Sequence, residues 1–171
     1  MSKILTIDYE TSDSRVNFGQ VLQAGIVISD DKLNIQSRHE LRCRLKPTVI
    51  PSIGACLVHK IPVNILKNSN KSHYEMVLEH YNLIKDNTPS VVMGFNQVAF
   101  DIEFYRRMLY KSLIPDVYQT NTNGNRHLDI LNVSRAAKFA DNDSIQTILN
   151  EKNRDSFKLA DLSTANKINN G

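Results

Sequence analysis

Near the N-terminus, Ile4-Leu5-Thr6-Ile7 is a short apolar run rich in β-branched side chains, and it leads straight into Asp8 and Glu10. Such a run reads as a buried strand. Residues 21–29 read as a second strand, and the polar turn Asp30-Asp31-Lys32 leads into residues 35–45, whose alternating polar and apolar positions predict an antiparallel partner. Helix and strand patterns alternate beyond that point. A three-strand meander followed by such alternation admits few architectures; it points to the α/β class, a mixed β-sheet flanked by helices.

Pro47 and Pro51 bracket a connection, and residues 54–61 predict a short helix closed by Pro62. Ser72 with Glu75 three residues on fits a capping box. Tyr74, Val77, Leu78, Tyr81 and Ile84 then mark one face of an amphipathic helix that Asn87-Thr88-Pro89 ends. Residues 91–95 predict another buried strand. Asn96 is placed to cap the following helix, which carries Asp101 and would bury Val98, Ile102, Tyr105 and Leu109. Leu128 and Asp129 suggest a brief strand edge before a helix over 130–139, and residues 159–165 open one more helix.

A chain of 171 residues suits a single domain over 1–171 with a sizeable core. No stretch approaches the roughly 20 apolar residues of a membrane span, and Met1-Ser2-Lys3 opens neither a signal nor a transit peptide, so the expected location is cytoplasmic. Cys43 and Cys56 lack metal-ligand spacing and are expected to be buried free thiols. The net charge of +3 permits a polyanionic partner without requiring one.

Asp8 and Glu10 stand two apart on a strand, so their carboxylates share a face. Two negative charges that close raise each other's pKa unless a cation lies between them, and a hard divalent ion such as Mg²⁺ is the natural partner. On its own an Asp-x-Glu is as well explained by two solvated acids. Asp101 adds a third carboxylate: in a compact sheet, the opening turns of its helix can come beside the first strand's end. The competing explanation is an acid favoured by the helix dipole, an effect of about 0.3–1 kcal/mol. A haloacid-dehalogenase-type phosphatase also opens on an acid-bearing strand. Here, however, Glu10 and Ser12 stand where that pattern wants Asp and Thr, and no later Gly-Asp pair follows.

Taken together, Asp8-Tyr9-Glu10-Thr11 and Gly94-Phe95-Asn96-Gln97-Val98-Ala99-Phe100-Asp101 resemble the first two motifs of the exonuclease I family, one of the DEDD exonucleases. Residues 55–62 resemble that family's short substrate-side helix. Ser156-Phe157-Lys158-Leu159 and Leu162-Ser163-Thr164-Ala165-Asn166 resemble the segment before its last motif. The resemblance implies an RNase H-like fold and a metal-dependent 3′→5′ exonuclease acting on single-stranded DNA in repair or recombination. It implies two Mg²⁺ ions, with Mn²⁺ as an alternative, at Asp8, Glu10 and Asp101. Substrate contacts are implied at Glu10, Thr11, Leu57, His59, Asn96, Arg106, Tyr118, Arg135 and Lys158. His59 stands where the family usually has a small residue or Thr. The family's last motif also brings a histidine base and a fourth carboxylate, whereas this sequence reads Lys167-Ile168-Asn169-Asn170-Gly171. The expectation is therefore a chain without that helix or the accessory domains, weak or inactive by itself. Two alternatives remain: an RNA-trimming exonuclease like RNase T or oligoribonuclease, and a catalytically degenerate nucleic-acid-binding protein.

Overall fold

The computed structural model describes residues 3–168. By contact density the chain divides into two compact units, Met1–Leu128 and Asp129–Gly171. The first holds a mixed sheet ordered β3-β2-β1-β4-β5, built from β1 (Lys3–Thr11), β2 (Val21–Ser29), β3 (Ile35–Arg42), β4 (Ser90–Gly94) and β5 (Arg126–Asp129). Strands β1, β2 and β3 form the predicted antiparallel meander, and β4 returns parallel to β1. Strand β3 is the polar edge, and Arg38, Glu40 and Arg42 discourage further pairing there.

Strand period fixes what faces what. Leu5, Ile7 and Tyr9 lie opposite Ile28, Ile26 and Ala24, and all six are buried. Two helices add to that core: α3 (His73–Asp86) with Met76, Val77, His80 and Ile84, and α4 (Asp101–Lys111) with Ile102, Tyr105 and Leu109. Beneath them Tyr9 Oη lies 2.9 Å from His80 Nε2, and the His80 ring packs against Tyr105 at 4.8 Å between centroids. The same alternation turns Asp8 and Glu10 to the opposite face, over Gly25 and Gln23.

Ser72 caps α3 with Glu75 in the predicted capping box. The helix face is rotated from expectation, however. His73, Met76, Val77, His80 and Ile84 are buried, whereas Tyr74 and Leu78 are exposed. Two histidines, polar on any hydropathy scale, are spent on the core face and shift the apparent stripe. Asn96 does not cap α4. The helix starts at Asp101 with Phe100 at the capping position, and Asn96 sits earlier in the loop with φ 59°. That loop also carries Val98, which is 44% exposed rather than part of the buried stripe. The helix over Ile53–His59 (α1) is closed by Lys60 at φ 56°, and Pro62 opens a further short helix, α2 (Val63–Lys67). Cys43 is buried as expected, Cys56 only half-buried, and both are free thiols.

The second unit contains α5 (Ile130–Ala140), a two-stranded ribbon of β6 (Ile148–Leu149) and β7 (Asp155–Ser156), and α6 (Leu159–Ala165). Both helices were legible; the ribbon, two residues a side, was not. Among the described residues no helix is long and apolar enough to cross a membrane.

Candidate active site

Pairing between β1 and β4 stops at Thr6 opposite Met93, leaving the last residues of β1 without a strand on that side. Gly94 ends β4 so close to β1 that a Cβ there would lie 2.9 Å from the Ile7 carbonyl oxygen. Gln97, in the loop that follows, is fully buried and donates to the carbonyls of Val92 at 2.8 Å and Leu128 at 3.1 Å, tying the loop across the sheet end. The chain then enters α4 at Asp101. This carboxylate does what the missing strand cannot: Asp101 Oδ1 accepts the backbone N–H of Tyr9 at 3.1 Å. Asp101 is thereby fixed on the backbone of Tyr9, the residue between Asp8 and Glu10.

Their environments differ. Asp8 is exposed, Glu10 half-buried and Asp101 buried. Burial, and then the negative charge of Asp8, push the Glu10 carboxyl above its ordinary pKa. Among the described residues no group of three or more His, Cys, Asp or Glu forms a ready-made metal cage. The donor set nevertheless suits a hard cation. Mg²⁺ is commonly held by one or two carboxylates, with water and phosphate oxygens completing its shell. A cation beside Asp8 and Glu10 would also relieve the repulsion that Glu10 feels.

Next to the carboxylates lies a cavity of about 390 Å³ lined by residues that include Glu10, Thr11, Ser52, His59 and Phe100. Ser52 caps α1 through the Ala55 amide at 3.1 Å and donates its own amide to the Ser12 carbonyl, anchoring that helix to the end of β1. At the helix's far end His59 Nδ1 accepts the Ile61 amide at 2.8 Å. Burial lowers the His59 pKa, so the ring is neutral near pH 7 and carries its proton on Nε2. That nitrogen is buried with no protein partner among the described residues. His59 is thus a donor, poorly suited to act as a base.

Of the predicted substrate contacts, Glu10, Thr11 and His59 meet at this cavity. Leu57 lies on α1 outside its lining, 71% exposed. Asn96 stands in the loop before α4. Arg106 and Tyr118 pair elsewhere, the guanidinium 5.0 Å from the ring centroid, along a separate groove of about 350 Å³. In the second unit Arg135 lies 5.9 Å from the Phe157 ring, and Lys158 precedes α6. Sequence reasoning missed Ser52 and Phe100. Ser52 had a signal, a serine three residues before Ala55 at a helix start; Phe100 had none beyond preceding Asp101.

No family profile matches the chain. Over 165 residues it is 28% identical to the exodeoxyribonuclease I of Buchnera aphidicola subsp. Acyrthosiphon pisum, a match covering 96% of this chain and 40% of that protein. It is 24% identical over 168 residues to the exodeoxyribonuclease I of Escherichia coli, covering 98% of this chain and 35% of that one. The crystal structure of E. coli exonuclease I in complex with a dT13 oligonucleotide superposes with a TM-score of 0.92 at 24% identity, over 100% of this chain and 37% of that chain. The chain therefore spans less than half the length of the relatives it matches, and its fold is that of the corresponding region, the RNase H-like mixed sheet.

Proposed function

We propose that this chain, similar along nearly its whole length to exodeoxyribonuclease I, is a metal-dependent 3′→5′ exonuclease on single-stranded DNA in a cytoplasmic repair or recombination setting. The observation that carries the reading is the bond from the Tyr9 amide to Asp101, which ties this carboxylate to the strand residue between Asp8 and Glu10, with Glu10 itself lining the adjacent cavity. Asp8 and Glu10, with Asp101 beside them, would hold divalent cations, Mg²⁺ or alternatively Mn²⁺. When bound, such ions activate the attacking water and stabilise the leaving 3′ oxygen.

The chain's own residues do the rest. Asp101, fixed by a backbone donor, sets the spacing to Asp8 and Glu10 without relying on a mobile side chain. His59 offers one neutral N–H to the terminal nucleotide, Thr11 shapes its surroundings, and Leu57 stands exposed on the same helix as His59. Asn96 sits in the loop leading to Asp101. Arg106 with Tyr118, and Arg135 and Lys158 in the second unit, supply the positive charge and stacking surface by which single strands are held without regard to sequence.

Binding without turnover is a second reading. It is favoured by the lack of a histidine base among the described residues: His59 is a donor, His73 and His80 are buried, His39 bonds Ser37, and His127 bonds Thr120. Digestion of 3′-labelled DNA and RNA strands, with Mg²⁺, Mn²⁺ or a chelator, separates the readings. Expected is divalent-dependent release of mononucleotides from DNA, reduced on the order of a hundredfold in Asp101→Asn. That variant keeps an acceptor for Tyr9 but loses the charge. Strand binding with no release would move the assignment to the second reading, and faster release from RNA would move the substrate class.

A further inference from the structure

On the α3–α4 side of the sheet, a smaller cavity of about 180 Å³ shares no lining residue with the carboxylate cavity. Lys46, Arg107 and Lys111 all line it, together with His73, Phe18 and Phe104, and none of its lining residues is an acid. We propose that this cavity is a binding site for a phosphate group, separate from the carboxylate centre.

Three cations brought to one small cavity without a carboxylate repel one another. Burial first and then the Lys111 charge hold the Lys46 ammonium below its usual range. An arrangement of this kind lowers its energy by taking up an anion, since one bound phosphate converts each repulsive approach into an attractive one.

One of the cations and the backbone carrying another are also held in place. Lys111 Nζ donates to the Asn17 carbonyl at 3.0 Å. The Lys46 amide donates to Gln20 Oε1 at 2.9 Å, while Gln20 Nε2 donates to the Arg44 carbonyl at 2.9 Å, so the loop bearing Lys46 is pinned to the start of β2. A second, independent feature is His73. It is only 6% exposed, yet its Nδ1 is buried with no partner among the described residues. Its ring lines the cavity as a polar group whose hydrogen-bonding capacity the protein leaves unused. The volume admits a phosphate group; a base carried by that phosphate could rest against Phe18, which is 69% exposed. A metal is excluded as ligand by the lack of acids, and an apolar molecule by the charge.

The test uses the full chain with chelator present and Asp8→Ala/Glu10→Ala as background, which removes two of the three carboxylates of the proposed centre. Inorganic phosphate is titrated by calorimetry against sodium chloride of equal ionic strength. Saturable binding is expected with phosphate alone, weakened roughly tenfold or more in Lys46→Gln/Lys111→Gln. Circular dichroism of that variant must match the parent. A 5′-mononucleotide that binds about tenfold tighter than phosphate, with the nucleoside silent, assigns the site to nucleotides; equal affinity assigns it to the phosphate group alone. Chloride and phosphate giving the same response, or the double variant titrating like its parent, overturns the proposal.

Discussion

Replacing Tyr9 by Phe deletes one oxygen and no carbon, from the strand residue between Asp8 and Glu10. That oxygen lies 2.9 Å from His80 Nε2, with Tyr9 5% and His80 0% exposed. Water cannot take its place, because the rings of Tyr9, His80 and Tyr105 pack against one another. The cost is therefore that of an orphaned buried nitrogen, about 1–3 kcal/mol, rather than the smaller net value of an exchangeable hydrogen bond. For a chain of this size that is a fall in Tm of roughly 2–4 °C per kcal/mol. Urea melts followed by circular dichroism at 222 nm would measure it. A cycle with His80→Leu isolates the pair: once His80 is gone, Tyr9→Phe should lose most of its effect, since removing both partners of a bond is far less costly than removing one. A Tyr9→Phe midpoint equivalent to less than about 0.5 kcal/mol from the parent would refute the reasoning, as would additive single effects.

Gly94→Ala puts a Cβ 2.9 Å from the Ile7 carbonyl oxygen and 3.0 Å from Gln97 Cβ. The carbonyl is backbone and cannot step aside, so a destabilisation of about 1–3 kcal/mol is expected, with a neutral or stabilised urea midpoint contradicting the close approach. Acid should also destabilise the fold. Burial lowers the pKa of both His73 and His80 to about 4 from the ordinary 6.5 of a histidine. The unfolded chain therefore binds more protons than the folded one as pH falls from 6.5 towards 4, and stability drops through that window, at its steepest by about 1.4 kcal/mol per histidine per pH unit. Urea midpoints that stay level between pH 7 and pH 5 would show that these rings are not held neutral.

The strands of the main sheet and most helices could be read from the chain because their signals are local: β-branched runs, the polar turn at Asp30, the serine cap at Ser72. Asp8 and Glu10 shared a face by strand period alone. Asp101 required a long-range fact, the early end of β4 at Gly94, which no local pattern contains; the resemblance to known motifs supplied it. Where the reading failed, tertiary packing had overridden composition. His73 and His80 are buried as core residues, so a hydrophobic stripe drawn without them came out rotated towards Tyr74 and Leu78. Asn96 looked like a cap because asparagine caps helices, yet asparagine also tolerates positive φ, and the loop used that property instead. The cationic cavity was invisible for the same reason as the site: Lys46, His73, Arg107 and Lys111 come from separate segments and become one feature only in three dimensions.

The hydrogen bond between the Tyr9 amide and Asp101 has a spectroscopic consequence. A single backbone proton is held by one of the three carboxylates, so its chemical shift and its exchange with solvent report on that carboxylate directly. Were a divalent ion to draw charge from Asp101, the bond to Tyr9 would weaken and the amide resonance would move. Occupancy of the proposed centre could thus be followed at one peptide group, with no nucleic acid present and no turnover required.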